Sequence, residues 1–440
     1  MLTDTQNQAI AAALEAARAR FVDANPRSRE QHRKAAEVLP GGNTRTSLFS
    51  EPFPVTLVRG SGARVTSLDG REYIDFLGEY TAGLYGHSHP ALRQTVLDAL
   101  DNGWVMGGHI RHEEELARLI RDRFPSIELV RFANSGTEAN LFAISTARAV
   151  TGKNKVVVFE GGYHGGVFTF GLTRSAMEAP FDFVKAQYND IDGTRALLDA
   201  HAAEIGTVIL EPMQGSGGCI PADPAFLAML REWTSAHGAI LVFDEVMTSR
   251  LSPGGLQALW GVTPDLTTLG KYIGGGFSFG AFGGRADLMG RFDPRRPDAF
   301  AHAGTFNNNV FTMAAGVVGL RDIYTADVAV ALNACGDALR ARLNEIAGKA
   351  RFPMQFTGLG SMMNVHMVAG AVRNVRDLTA GNAALRDLFW FDLLEQGVWI
   401  ARRGMINVSL PIGEAECDQL ATAVEAFVDR TNALVRKESS

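Results

Sequence analysis

The feature that most limits the possible folds of this chain is a series of short apolar runs, each followed by a polar or glycine-rich segment. The clearest run, 239–243, ends directly at Asp244. Because it is apolar on both faces, it predicts a buried strand of a parallel sheet with Asp244 at its carboxyl end. Open α/β sheets bind their ligands at that end. From about residue 70 to 325, strand-like and helical stretches alternate, which predicts a mostly parallel sheet covered by helices on both faces.

A lysine, Lys271, follows Asp244 by 27 residues and precedes three glycines at 274–276. That stretch is too flexible to be the interior of an ordinary helix. A lysine and an acid that each terminate a strand are the groups that pyridoxal phosphate requires. The lysine forms a Schiff base with the cofactor, and the acid keeps the pyridine nitrogen protonated. Taken singly, Asp244 is equally well a capping or solvated acid, and Lys271 a surface charge.

A Ser-Gly-Thr turn at 135–137 stands between a short apolar run and a helical pattern. Such a turn offers two hydroxyl groups, free backbone N–H groups and the positive end of the helix dipole, which together form a phosphate site. The alternative is a plain capping box, since Glu138 follows Ser135 by three residues. The cap is the simpler interpretation of the turn alone, and the phosphate site is favoured once Asp244 and Lys271 are considered with it.

Two more apolar runs predict strands that end at candidate ligand-binding residues. The run 156–159 leads into the glycine-rich segment 160–166, whose backbone can approach a ligand closely and whose Tyr163 can stack on a ring. The run 207–210 ends at Glu211. An acid there can hold the polar edge of a cofactor through a neighbouring group.

The order of these motifs resembles that of the class III (ω-type) aminotransferases, over essentially the whole chain. The resemblance implies pyridoxal-phosphate fold type I, an α/β fold with a mostly parallel central sheet in a large domain and a smaller α+β domain built from both chain ends. Within the family the chain is similar to the glutamate-1-semialdehyde aminomutases, and nearer to the aromatic β-amino acid (β-phenylalanine) aminotransferases. The segments that carry the resemblance are Asn134–Ala139, Gly162–Gly165, Glu211-Pro212, Asp244–Val246, Thr268–Lys271 and Gly304–Phe306.

The resemblance also implies a role for each residue of the site. Lys271 would be the Schiff-base lysine and the base that moves the substrate proton, and Asp244 would pair with the pyridinium nitrogen. A homodimer with shared active sites is implied as well, because one threonine would reach the phosphate of the other subunit. The expected cofactor residues are Ser135, Gly136 and Thr137 at the phosphate, Thr305 from the second subunit, Tyr163 and Val246 on the two ring faces, and Glu211 near the ring hydroxyl.

Substrate choice depends on residues outside this set. In the β-phenylalanine aminotransferases an arginine at the position of Arg45 holds the carboxylate of the β-amino acid. One at the position of Arg403 pairs with the keto-acid acceptor and swings aside for an aromatic ring. Tyr80 and Tyr85 would line the same pocket. The alternatives are that both arginines are ordinary solvated side chains and that both tyrosines belong to the core.

Three function classes remain. The favoured one is a transaminase that moves the amino group of an aromatic β-amino acid, such as β-phenylalanine, to 2-oxoglutarate or pyruvate. The alternative is a glutamate-1-semialdehyde 2,1-aminomutase-type isomerase, from which the chain departs at 248–251 and 305–309. The third class, an aminotransferase-like regulator with a DNA-binding domain, is disfavoured because only about forty residues precede Asn43 and they are not basic.

Composition is consistent with an enzyme of small molecules. The net charge of −6 and the lack of a basic patch argue against nucleic-acid and anionic-membrane partners. Three widely spaced cysteines fit a reducing compartment and no metal site. No signal sequence and no apolar stretch of membrane-spanning length is found, so a cytoplasmic location is expected.

The sequence also predicts how the chain divides. Residues 1–69 and 326–440 are expected to form the smaller domain, and 70–325 the large cofactor-binding domain. Within the first part, apolar residues at 10, 14, 17 and 21 predict an amphipathic helix. A hairpin with an Asp-Gly turn is expected at 65–76. After Tyr324 the pattern predicts a helix over 328–349, a strand over 361–367 and a final helix from Glu414.

Overall fold

The computed structural model describes residues 3–435, and long helices occupy both ends of that range. The α-helices are α1 (Asp4–Ala24), α2 (Pro26–Ala35), α3 (Pro90–Asn102), α4 (Arg111–Arg123), α5 (Gly136–Thr151), α6 (Ile191–Ala200), α7 (Pro224–His237), α8 (Gly255–Trp260), α9 (Ala286–Met289), α10 (Val310–Val318), α11 (Ala326–Lys349), α12 (Ala383–Glu395) and α13 (Glu414–Val435).

The strands fall into one large sheet and several small ones. They are β1 (Leu57–Ser61), β2 (Arg64–Ser67), β3 (Glu72–Asp75), β4 (Leu129–Ala133), β5 (Lys155–Phe159), β6 (Gly162–Tyr163), β7 (Thr169–Phe170), β8 (Asp182–Ala186), β9 (Ile205–Leu210), β10 (Met213–Gln214), β11 (Ile220–Pro221), β12 (Ile240–Asp244), β13 (Leu266–Gly270), β14 (Gly280–Gly284), β15 (Gln355–Leu359), β16 (Met362–His366), β17 (Val398–Trp399) and β18 (Met405–Asn407).

The central sheet has seven strands in the order β4-β14-β13-β12-β9-β5-β8. Neighbours from β13 to β8 are parallel, and β14 runs antiparallel to both β13 and β4. Every residue of β9, β12 and β13 is buried, as expected for strands covered on both faces. The predicted mostly parallel α/β sheet is therefore confirmed.

Alternate side chains of one strand show how helices cover both faces of this sheet. In β5, Val156 and Val158 pack with the buried alanines of α5, whereas Val157 and Phe159 pack with Phe226 and its neighbours on α7. This division follows from the two-residue period of a strand. The fully apolar run 156–159 therefore contributes to two separate hydrophobic clusters.

The smaller sheets join the two ends of the chain. The order β1-β2-β3-β17 places a C-terminal strand beside the N-terminal ones, with Val398 paired in parallel with Ile74. The predicted hairpin is present as β2 and β3, and Gly70 in its turn has a φ of 85°. β3 lies on the large-domain side of the predicted boundary but pairs with the small sheet. The three-part division stays a prediction, and residues 1–2 and 436–440 lie outside the described range.

The N-terminal helix packs as its apolar spacing predicts. In α1, Ile10, Leu14, Ala17 and Phe21 are the buried residues. The ring of Phe21 lies 5.3 Å from that of Phe391 on α12. The helix predicted at 328–349 is α11, the strand predicted at 361–367 is β16, and the final helix is α13.

Candidate active site

Asp244 is the last residue of β12 and is only 4% exposed. Its Oδ2 accepts hydrogen bonds from Asn140 Nδ2 and His164 Nδ1, both at 2.8 Å. Its Oδ1 accepts the backbone N–H of Val246 at 3.0 Å. Because burying a carboxylate without partners is costly, these three donors offset that cost and fix the orientation of the group. The sheet thus holds one oriented acid at the carboxyl end of β12.

Lys271 directly follows β13, the parallel neighbour of β12, and begins the one-turn segment Lys271–Gly274. Its φ is 55°, a left-handed conformation that costs a residue with a side chain about 1–2 kcal/mol. Backbone strain of this kind is concentrated at functional sites. Burial lowers the pKa of Lys271, and the attraction of Asp244 partly offsets that shift. The neutral amine, which is the nucleophilic and basic form, is therefore easier to reach than in a surface lysine.

The turn 135–137 both caps α5 and lines a cavity. Ser135 Oγ accepts the N–H of Glu138 at 3.2 Å, and Glu138 Oε2 accepts the N–H of Asn134 at 2.9 Å. The cap therefore exists, and Gly136 and Thr137, whose N–H groups have no partner within the helix, line the cavity. A Cβ on Gly136 would lie 3.0 Å from both methyl groups of Val246. The close approach of the two segments thus leaves little room for a side chain at position 136.

Tyr163 and Glu211 are joined by a backbone hydrogen bond. The N–H of Tyr163 donates to Glu211 Oε2 at 2.9 Å, and that of Gly215 donates to Glu211 Oε1 at 2.9 Å. Tyr163 is 41% exposed, whereas Glu211 is buried. Burial raises the pKa of Glu211 to about 7. Glu211 therefore holds the backbone at Tyr163, and its burial disfavours its charged form.

These residues surround one cavity of about 380 Å³. A volume of this order is typical of small-molecule sites. The side chains expected to contact a cofactor or substrate are brought together here from segments up to 358 residues apart in the sequence. Those that line the cavity are Arg45, Tyr80, Ser135, Gly136, Thr137, Tyr163, Glu211, Asp244, Val246, Lys271 and Arg403.

Two guanidinium groups lie near one aromatic ring at the mouth of the cavity. The Cζ atoms of Arg45 and Arg403 lie 5.8 and 4.9 Å from the ring centre of Tyr80. Arg45 contacts the carboxylate of Glu79, whereas Arg403 Nη1 donates to Ser216 Oγ at 3.1 Å. An aromatic ring beside two cations forms a place where both a carboxylate and an apolar group can bind.

Two expected site residues lie elsewhere. Tyr85 is 3% exposed, and its ring packs 6.5 Å from that of Tyr272. The prediction that Tyr85 lines the pocket is wrong, because the turn through Gly83 directs its ring into the hydrophobic core. Thr305 is exposed and lies outside the cavity formed by its own chain. The expected role of Thr305 in a second subunit stays a prediction.

The structure adds site residues that had no predicted role. His164 and Asn140 bind Asp244, Glu79 binds Arg45, and Ser216 binds Arg403. Asn140 Oδ1 also accepts the hydroxyl of Thr268 at 2.7 Å. His164 lies in the segment Gly162–Gly165, which resembles a family motif, and Asn140 directly follows the segment Asn134–Ala139. Their positions were therefore visible in the sequence, although their contact with Asp244 was not.

Within residues 3–435, no helix is both long and apolar enough to cross a membrane. Over the same residues, His, Cys, Asp and Glu side chains form no group of three or more that could hold a metal ion.

Comparison with known proteins identifies the family. The family model described as aminotransferase class III matches residues 47–428. The β-phenylalanine transaminase of Variovorax paradoxus is 52% identical over 97% of this chain and 98% of its own length. A glutamate-1-semialdehyde 2,1-aminomutase of Desulfotalea psychrophila is 36% identical over 85% of this chain and 91% of its own.

Solved structures agree with that result. The crystal structure of a β-phenylalanine aminotransferase from Variovorax paradoxus superposes with a TM-score of 0.96, at 52% identity, over 97% of this chain and 99% of the other. A structure described as a transaminase with PLP bound gives a TM-score of 0.86 at 32% identity, over 94% and 99%. The chain therefore belongs to the class III aminotransferases, pyridoxal-phosphate enzymes of fold type I.

Proposed function

We propose that this protein is a transaminase that moves the amino group of an aromatic β-amino acid, such as β-phenylalanine, to 2-oxoglutarate or pyruvate. The observation that carries the proposal is the placement of Arg45 and Arg403 near Tyr80, at the mouth of the cavity that contains Lys271 and Asp244. The 52% identity with a β-phenylalanine transaminase supports the same substrate class.

The cavity fits pyridoxal phosphate. It is lined by an oriented acid, by a helix N-terminus with two hydroxyl groups, and by a lysine whose pKa is lowered by burial. When bound, the cofactor supplies a ring that withdraws electrons from the substrate carbon next to nitrogen. Asp244 would hold the proton on the ring nitrogen, and the turn 135–137 would bind the phosphate.

The other residues of the cavity would position the ring and move the proton. Tyr163 and Val246 would contact the two ring faces, and Glu211 would keep the backbone of Tyr163 in place near the ring hydroxyl. The amine of Lys271, once free, would take a proton from the substrate carbon and return it at the cofactor side. His164 and Asn140 would act through Asp244, since both donate to its carboxylate.

The two arginines would divide the work of substrate binding. Arg45 would bind the carboxylate of the β-amino acid through parallel hydrogen bonds. Arg403 would bind the carboxylate of the keto acid and move aside for an aromatic ring. Its guanidinium is held by one side-chain hydroxyl and one sulfur contact, and it forms no ion pair within residues 3–435, which leaves it free to change partners.

A homodimer with shared sites would complete the cavity. Phe277 lines the cavity and is 40% exposed, and its ring lies 6.4 Å from that of Phe311, which in turn lies 6.0 Å from Trp104. Apolar side chains grouped at the edge of a site are typical of an interface. Thr305 and Phe306 are exposed, and Thr305 would reach the phosphate bound by a second copy of the chain.

A panel of amino donors tests the proposed function. Aromatic β-amino acids, α-amino acids and simple amines are each incubated with pyruvate and with 2-oxoglutarate, followed by chiral analysis of the remaining donor. The proposal expects turnover of aromatic β-amino acids that requires an added keto acid. An aminomutase, the alternative that the lower identity of 36% favours less, would convert its substrate without any keto acid.

A further inference from the structure

Two segments that are distant in sequence meet at the mouth of the cavity. Arg45 follows the turn 40–42, and Glu79 lies in the loop after β3. Nη2 of Arg45 contacts Oε1 of Glu79, and their side chains are 45% and 56% exposed. Next to this pair, the hydroxyl of Tyr80 donates to the carbonyl of Ser47 at 3.1 Å. The ion pair therefore lies at a solvent-exposed edge of the cavity.

The loop holds Glu79 there in an unfavourable backbone conformation. Glu79, Tyr80 and Thr81 have φ values of 45°, 52° and 81°, in the region that favours glycine. Asp75 Oδ1 fixes the start of the loop by accepting two of its backbone N–H groups, each at 2.9 Å. A surface ion pair would not need three consecutive strained residues. The strain points to a function for the position of Glu79.

The two arginines of the site differ in the groups that their guanidinium groups contact. Arg45 has a carboxylate partner, whereas Arg403 contacts the hydroxyl of Ser216 and the sulfur of Met405. Glu79 itself lines the cavity. A carboxylate that enters to bind Arg45 therefore meets a guanidinium whose charge is already balanced, and it meets the negative charge of Glu79 as well.

We propose that Glu79 is an internal counter-anion of Arg45, which the carboxylate of the substrate has to displace. This inference rests on the proposed function, in which Arg45 binds the carboxylate of the donor. Two carboxylates close to one guanidinium repel each other. Glu79 is thus a specificity-determining residue that weakens carboxylate binding at Arg45 and leaves the binding of neutral ligands unchanged.

Displacement also has a consequence for product release. The keto acid formed from a β-amino acid keeps its carboxylate, so it stays bound to Arg45 after the amino group has left. When Glu79 returns to Arg45, it replaces the carboxylate of the product and promotes dissociation. Competition between Glu79 and ligand carboxylates for Arg45 would therefore weaken the binding of the donor and also speed the release of the product.

Calorimetric titration of the dimeric holoenzyme tests this inference without relying on turnover. The ligands are 3-phenylpropanoate, which lacks the amino group and does not react, and its neutral amide of the same shape. Glu79→Gln should bind 3-phenylpropanoate about two- to fivefold more tightly than wild type, the range expected for loss of a partly exposed competing charge. The gain should shrink at high salt, and affinity for the amide should not change.

Three further variants make the result specific. Glu345→Gln removes the same charge from an exposed pair with Lys349 on α11 and should bind both ligands as wild type does. In an Arg45→Ala background, Glu79→Gln should not increase the affinity for 3-phenylpropanoate. If Glu79→Gln does not fold, Glu79→Asp, whose carboxylate is drawn back from Arg45, replaces it and should give a smaller gain.

Each outcome decides between the inference and its basis. Unchanged or weaker binding of 3-phenylpropanoate by Glu79→Gln, with Arg45→Ala still impaired, overturns the role of Glu79 and leaves the proposed function intact. If Arg45→Ala alone binds 3-phenylpropanoate as tightly as wild type, Arg45 is not the carboxylate site, and both the inference and that part of the proposed function fail.

Discussion

Nδ1 of His164 lies 2.8 Å from Oδ2 of Asp244, and both side chains are almost completely buried. Because a carboxylate can only accept here, His164 donates the proton of that bond. Asn140 donates to the same oxygen. The carboxylate thus keeps its other oxygen for the N–H of Val246 and for a ligand, and its orientation is set before the cofactor binds.

Replacing Asp244 by Asn is expected to lower kcat by several orders of magnitude. Asn keeps the shape of the side chain but removes the charge that would hold the proton on the cofactor ring. Steady-state kinetics with a β-amino acid donor measure the loss, and the circular dichroism of the variant checks that it is folded. A decrease of only about tenfold would mean that another group supplies the charge.

Subunit complementation tests the shared active site. Thr305→Ala and Lys271→Ala subunits are mixed and allowed to exchange, which forms heterodimers with one intact site and one that lacks both residues. Activity above the sum of the two parent variants is expected. No gain after confirmed exchange would contradict the shared site, and a monomer that is fully active at nanomolar concentration would contradict the proposed dimer.

The pH dependence of stability should show the buried state of Glu211. Its pKa in the folded protein is raised from 4.5 to about 7, so the fold disfavours the charged form. Deprotonation of Glu211 therefore lowers the free energy of unfolding. This loss is absent below pH 4.5, grows as the pH rises, and is complete above about pH 7, where it reaches about 3 kcal/mol at most.

Glu211→Gln removes this titration and serves as the comparison. The melting temperature of wild type should fall relative to that of Glu211→Gln as the pH rises from about 4.5 to 7. A constant difference between the two melting temperatures is also expected, because Gln loses one of the hydrogen bonds that Glu211 accepts from the N–H groups of Tyr163 and Gly215. Parallel curves over the whole range would show that Glu211 does not titrate with a raised pKa.

The two half-reactions should separate Arg45 from Arg403. Arg403→Ala is expected to impair the reaction of the amine form of the enzyme with 2-oxoglutarate, and to leave the reaction of the aldehyde form with β-phenylalanine comparatively intact. Arg45→Ala should lose several kcal/mol of transition-state binding for β-phenylalanine and much less for amines without a carboxylate. Stopped-flow spectra of the cofactor follow each half-reaction. Equal losses in both would show that Arg403 is structural.

The sequence predicts the sheet and the positions of Asp244 and Lys271 because local chemistry determines them. The run 239–243 is apolar on both faces, which favours a strand covered on both sides, and the acid that follows such a strand lies at the edge of the sheet. The ends of parallel strands then meet at one edge of the sheet, which also brings Glu211 to the site.

The remaining features depend on tertiary geometry. The ion pair of Arg45 and Glu79 joins two loops, and its formation depends on left-handed backbone at residues that carry side chains. The wrong prediction for Tyr85 has a similar cause. The spacing of residues in the sequence does not show which way the ring of Tyr85 points after the turn through Gly83. The bond between His164 and Asp244 spans 80 residues, and only the fold brings the two together.

A single-turnover experiment tests the proposed function most directly. Holoenzyme is mixed with racemic β-phenylalanine in the absence of any keto acid, and the absorbance of the cofactor is followed. Conversion of the aldehyde form to the amine form is expected, with consumption of one enantiomer in proportion to the enzyme sites, and later addition of 2-oxoglutarate or pyruvate should restore the aldehyde form. A cofactor spectrum that stays unchanged with β-phenylalanine and every other aromatic β-amino acid would contradict the proposed substrate class.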